Sequence, residues 1–286
     1  MLEIVWQYDP ERGPAENRPQ TAAAALARLD SGNATFSTLT TLAGEGSPAK
    51  RHIMPIGARD LGLPDATDGG LAQQPFAAIL GCADARVPLE VVFGLPSNQA
   101  FVVRVAGNVL GNECLGSLEY AVANLESLRL LLVLGHTQCG AVTAAVDAYL
   151  NPTSYLQMAS SLPLRSIVDS LMVPVRAAAE ALEAVHGRQL KEHAEYRTAV
   201  IEVAVALNAA LTASIAARNF SQSLGSSLGV AFGVFNLETR RVGLPGDNLN
   251  TERWLGGLFA PPKDESGFHD LGRQLAGSAY VVEILS

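Results

Sequence analysis

Two short stretches concentrate the residues able to do chemistry: Cys82-Ala83-Asp84-Ala85-Arg86 and His136-Thr137-Gln138-Cys139. Together they offer two thiols, an imidazole, and a carboxylate beside a guanidinium. Zinc takes thiolate sulfur and imidazole nitrogen, and a catalytic zinc keeps a fourth position open for water. Cys82, His136 and Cys139 supply such a ligand set. His136 and Cys139 lie in a loop that opens a helix at Gly140, so one turn can hold one ion while the helix N-terminus favours the ionised thiolate. Asp84 and Arg86 suit a bidentate ion pair, which would keep the carboxylate off the metal and aim it at the fourth position. The competing reading takes these residues as buried core thiols, a hydrogen-bonded histidine and a surface salt bridge. It suits isolated residues better than this cluster, and it is kept for Cys114, which precedes the helical stretch GSLEYAVANL.

What must position them are strand ends. PFAAILG runs into Cys82 and LRLLLVLG into His136, and QAFVVRVA is a third short apolar run, with PLEVVFG and GSLEYAVANLES reading as helices between them. This alternation predicts buried parallel strands with crossover helices, and in such sheets ligands bind at the C-terminal edge. After Cys139 the pattern predicts a helix through about Leu150. A long helical region follows from Leu162 to Asn219, with breaks at Pro174 and His186-Gly187. LGVAFGVFNLETRRVGL reads as a last strand pair turning at LETR, and AYVVEIL as a further edge strand. Upstream, residues 1–20 read as an arm, and TAAAALARLD as a short helix with Leu26 and Leu29 on one face, stopping at Ser31-Gly32-Asn33. Residues 44–75, rich in Gly, Pro and Asp, read as an exposed connection.

The chain has 286 residues, 48% hydrophobic and 17% charged, ample for a globular core. The reading is one α/β domain: an arm and helix over 1–50, the site-bearing core over 73–150, a helical region over 151–219, and C-terminal strands and tail over 227–286. A formal net charge of -8 argues against nucleic acid or anionic lipid as partners. No run approaches the roughly 18 apolar residues that span a bilayer, and the start MLEIVWQYDPERGP has neither the basic nor the apolar region of a leader. Three cysteines make no disulfide framework. The expected location is the cytoplasm, with an enclosed microcompartment also open to it.

CADAR followed by GHTQCGAV resembles the Cys-x-Asp-x-Arg and His-x-x-Cys signature of β-class carbonic anhydrases. The likeness runs from the helix ALARLDSGNATF to the final strand pair and is strongest from Gln73 to Val146. It implies a parallel-core β-sheet flanked by helices, here with a helical insertion, and one zinc ion per subunit on Cys82, His136 and Cys139. It further implies Asp84 and Arg86 as the catalytic pair, and reversible hydration of CO2 to bicarbonate and a proton by a zinc-bound hydroxide. By the same resemblance Gln73, Phe101, Ala106 and Tyr120 line the substrate pocket, the aromatics reaching across from the partner in a homodimer or larger homo-oligomer. Val105, Ala106 and FNLETR depart from the family's common pattern and bear on substrate fit and subunit contacts. Two other readings stand beside this one: a COS or CS2 hydrolase on the same fold, and a catalytically silent zinc-stabilised scaffold. His52, His186, His193 and His269 read as solvated residues, which leaves proton removal to buffer.

Overall fold

The computed structural model describes residues 2–9, 18–41, 50–57, 61, 73–153, 155, 161–221, 228–248 and 252–286. The three apolar runs form β3 (Ala77–Gly81), β4 (Ala100–Arg104) and β5 (Leu130–His136), and β6 (Gly229–Phe235) extends them. All four run parallel in the order β4-β3-β5-β6. β7 (Val242–Asn248) and β8 (Glu252–Gly256) then add two antiparallel strands at the edge beyond β6.

β3 and β5 are buried along their whole lengths because both faces of the sheet are covered. Their residues alternate between two cores, as the pleat demands. Ala78, Leu80, Leu131 and Val133 face the helices α3 (Asn112–Asn124), α4 (Gly140–Leu150), α5 (Leu162–His186) and α6 (Tyr196–Asn219). Ala77, Ile79, Leu130, Leu132 and Leu134 face α1 (Ala22–Thr41) and α2 (Leu89–Val92). This two-sided burial is why the strands read as unbroken apolar runs rather than alternating ones.

The order of the strands matters more than their number. From β3 the chain crosses to β4 on one side and later enters β5 on the other, so strand order reverses between β3 and β5. That crevice at the C-terminal edge is where an open α/β sheet accommodates a ligand. Gly81 is level with Leu134 in the parallel register, so Cys82 and His136 emerge side by side at this edge.

Several expectations need correction. Helix α1 does not stop at Ser31-Gly32-Asn33 but continues to Thr41. Gly32 is there because the helix presses on α2: a Cβ would stand 2.0 Å from the Phe93 carbonyl oxygen. Asn33 is fully buried, donating to the carbonyls of Val92 (3.3 Å) and Arg240 (3.1 Å) and accepting the Val242 N–H (2.8 Å). Residues that look like helix punctuation are contact residues. We expect Gly32→Ala, helix-favouring by propensity, to destabilise the fold by about 1–3 kcal/mol through this overlap; an unchanged urea midpoint would refute the packing described.

Pro174 lies inside α5 without ending it, because packing against α4, α6 and α7 (Glu265–Ala276) outweighs one lost hydrogen bond. The predicted break at His186-Gly187 is present, with Gly187 at a φ of 88°. AYVVEIL is not an edge strand. It forms α8 (Ala279–Ile284), begun by Ser278, whose hydroxyl accepts the Val281 N–H, while the outer sheet position is taken by β8. The arm contains β1 (Leu2–Asp9), paired in parallel with β2 (Lys50–Gly57) as a separate two-stranded sheet. The rest of the 44–75 connection lies mainly outside the described residues. Helix α6 is long and apolar enough to cross a membrane by length and composition, contrary to the sequence reading, yet most of it is buried against β5, β6 and α5.

Candidate metal centre

Each of the three ligand candidates is delivered by a different local device. Cys82 is the first residue after β3, His136 the last of β5, and Cys139 the N-cap of α4. All three are buried, and their ligand atoms lie within 4.8 Å of one another. The two sulfurs are 3.9 Å apart, close to the roughly 3.8 Å that tetrahedral zinc with Zn–S bonds of about 2.3 Å imposes. The His136 Nδ1–H donates to the Thr137 carbonyl at 2.9 Å, which leaves Nε2 as the lone-pair nitrogen. That Nε2 is buried and has no hydrogen-bond partner. A buried, unpartnered imidazole nitrogen clustered with two thiols is the donor set zinc takes, so the residues fit a zinc ion.

Asp84 stands beside this cluster without joining it. Arg86 grips both carboxylate oxygens, Nε to Oδ1 at 3.0 Å and Nη2 to Oδ2 at 2.8 Å, while its backbone N–H also reaches Oδ1 at 2.9 Å. These bonds hold the Asp84 carboxyl well below the usual carboxylate range. Oδ2 is 3.7 Å from His136 Nε2, too far to bond and near enough to face the same space. With Asp84 occupied, three protein ligands remain, the number that leaves a zinc ion one open position.

The surrounding shell contains residues the sequence reading missed. The Gly107 N–H donates to Cys82 Sγ at 3.3 Å. Gly107 has a φ of 67°, and a Cβ would meet Ala141 and Leu171 at 3.1 and 3.2 Å, so only glycine brings this donor to the sulfur. Asn208 of α6 holds the Gly107 carbonyl at 2.8 Å. Arg104 at the end of β4 donates to the carbonyls of Cys82 (3.0 Å) and Asp84 (2.6 Å), tying down the loop between them. Gln138 takes a left-handed φ of 57°, which costs a non-glycine residue about 1–2 kcal/mol. Its N–H donates to Glu202 Oε1 at 3.0 Å, and its carbonyl accepts from Arg86 Nη2 at 3.3 Å. The signal for Glu202 was in the sequence: one acid within the apolar run VIEVAVAL.

The sulfurs respond oppositely to their setting. The hydrogen bond from Cys139, together with the Gly107 N–H, pulls the Cys82 thiol down; the adjoining Cys82 sulfur and burial push Cys139 up. In metal-stripped protein the pair therefore keeps one proton across the neutral range, where the unfolded chain keeps two. The lowered Cys82 value gives stability that is present above the ordinary thiol value and lost as pH falls toward the lowered one. The raised Cys139 value gives stability that is present below the ordinary value and lost as pH climbs past it. Stability of the stripped chain should peak near the ordinary thiol value of about 8.5. A thermal-melt series against pH checks this, with the Cys82→Ala/Cys139→Ala double variant as baseline; a flat difference curve would contradict it.

The family model described as carbonic anhydrase matches residues 77–242, more than half of the chain. The chain belongs to the β-carbonic anhydrase family. Among curated relatives, "Carbonic anhydrase 2" of Mycobacterium tuberculosis is 52% identical over 81 residues, 28% of this chain and 39% of that protein. "Carbonic anhydrase" of Mycolicibacterium smegmatis is 49% identical over 77 residues, covering 27% and 37%. The matched segment thus spans well under half the length of these relatives. Among solved structures, the Coccomyxa β-carbonic anhydrase in complex with acetazolamide has a TM-score of 0.46 at 24% identity, over 68% of this chain and 77% of that one. The β-carbonic anhydrase CcaA has a TM-score of 0.45 at 22% identity, over 60% and 79%.

The other family-implied residues divide in two. Ala106 shares the turn Ala106–Asn108 with Gly107 and so lies at the centre. Phe101, Tyr120 and Gln73 do not come to the centre of their own chain. Phe101 pairs with Ala78 before β3 reaches Cys82, and its ring stands 6.5 Å from that of Tyr120, which is 51% exposed. Gln73 is exposed and precedes β3, at the end opposite Cys82. Cys114 is buried on α3 within the core, away from the ligand group.

Proposed function

We propose that the chain catalyses the zinc-dependent, reversible hydration of CO2 to bicarbonate and a proton. One observation carries this reading: a buried Cys82–His136–Cys139 triangle with an unpartnered His136 Nε2, beside an Asp84 whose two oxygens are both held by Arg86. When bound, zinc supplies a Lewis acid that makes water acidic enough to attack CO2 near neutral pH.

The chain's own residues do the rest. Arg86 keeps Asp84 ionised and turned from the ligands, and the remaining lone pairs of that carboxylate accept a proton-bearing oxygen and orient it toward CO2. The Gly107 N–H withdraws charge from Cys82 Sγ, which keeps the thiolate from over-donating. Ala106, next to Gly107 in the same turn, is the small side chain this reading sets against a linear substrate. Proton export falls to buffer: His186 is engaged with the Ala276 carbonyl and His269 lies against Glu265 on α7. The reading includes a second copy of the chain, whose Phe101–Tyr120 pair and Gln73 would complete the pocket; their distance from their own centre supports this.

The test is zinc content per chain together with CO2 hydration by stopped-flow, with COS and CS2 assayed alongside. Stoichiometric zinc with CO2 as the fastest substrate is the expected result. Zinc bound without turnover of any of the three would leave a silent scaffold, and faster COS or CS2 hydrolysis would reassign the substrate.

A further inference from the structure

Among the described residues Glu202 is the only acidic side chain that is buried, at 6% exposure, and it sits in the second turn of α6 within the apolar run VIEVAVAL. A buried carboxylate is costly unless its oxygens are engaged, and both of these are. Oε1 accepts the Gln138 N–H at 3.0 Å and Oε2 accepts the Tyr280 hydroxyl of α8 at 3.4 Å. Tyr280 is itself steadied by an edge-on contact with Trp254, ring centres 5.4 Å apart.

Gln138 is the hinge of the loop. It is left-handed at a φ of 57°, it lies between the ligands His136 and Cys139, and its carbonyl meets Arg86. One peptide segment thus presents a sulfur to the metal and an acceptor to the guanidinium that restrains Asp84. We infer that Glu202 is a positioning residue: its carboxylate, braced by Tyr280, fixes the Gln138 peptide so that Cys139 and the Asp84–Arg86 pair keep their places together. This rests on the metal-site reading proposed above. It extends that site to a contact between α6 and the C-terminal helix α8.

The experiment uses the full chain and zinc alone as the probe. Zinc affinity is measured by competition with a chromophoric chelator, the ligand field by the thiolate-to-cobalt absorption bands of the Co2+-substituted protein, and folding by circular dichroism. Glu202→Ala should weaken zinc binding about 10–100-fold and shift the cobalt bands. Glu202→Asp keeps the charge but draws the acceptor back from Gln138, and should show the same changes to a lesser degree with the fold intact. Glu202→Gln retains an acceptor for the Gln138 N–H and should recover most of the affinity and the wild-type spectrum. A folded Glu202→Ala or Glu202→Asp variant with wild-type affinity and bands would overturn the inference; should the alanine variant not fold, the aspartate variant decides. Wild-type protein that binds zinc yet turns over no CO2 would remove the proposed reaction and leave the role of Glu202 standing.

Discussion

Alanine at Cys139 is expected to remove zinc and CO2 hydration in one step, with metal content near zero and turnover lower by about four orders of magnitude or more, since the acidified water is the reagent. Cys139 is buried, and its sulfur is one corner of a triangle that has no spare ligand: Asp84 is occupied by Arg86, and no other His, Cys, Asp or Glu joins the group among the described residues. The fold should survive, because the substitution removes one sulfur from a helix N-cap that makes no side-chain capping bond. Cys114→Ala is the matched control. It removes another buried thiol, from α3, and should leave zinc and rate unchanged. Elemental analysis with stopped-flow measures both, and an active Cys139→Ala enzyme, or a zinc-free Cys114→Ala one, would contradict the assignment.

Arg86→Ala should act by a different route, lowering turnover about 10²–10⁴-fold while zinc stays bound. Without the fork of Arg86, Asp84 loses two charge-assisted bonds and its carboxylate is free to turn. Oδ2 already stands 3.7 Å from His136 Nε2, so the freed carboxylate lies within reach of an ion held by that nitrogen. It would take the position that substrate water needs. Zinc affinity should therefore hold or rise as activity falls, a split that general misfolding would not produce. Arg86→Lys should not rescue, since an ammonium cannot span both oxygens. Intact turnover in either variant would sink the role given to this pair.

Much of the site was legible because its parts are local. The ligands sit at the ends of β3 and β5, strands apolar on both faces, and Cys139 opens a helix whose span to Leu150 the sequence predicts. The Asp84–Arg86 bond joins residues two apart. What escaped depends on distant partners. Gly32 and Asn33 carry the chemistry of a helix stop, and only their neighbours Phe93, Val92 and Val242 reveal contacts instead. AYVVEI is rich in β-branched and aromatic residues, and a preceding serine cap with the sheet edge already filled makes it a helix. Glu202 and Asn208 reach the site from more than sixty residues downstream of Cys139, and although each stands out among apolar neighbours, nothing local says which loop it meets. Pro174 misled because a local rule was outweighed by packing.

That helix has a mechanical meaning. α6 grips Gln138 through Glu202 on one flank and Gly107 through Asn208 on the other, with about 9 Å of helix rise between the two grips. Both walls around the ion are thus bolted to a single rigid beam, most of whose remaining surface is sunk in aliphatic packing. A small sideways shift of the beam, from a methyl group added or removed anywhere along its sunken face, would carry both walls at once, so repacking far from any ligand should register as a change in metal hold.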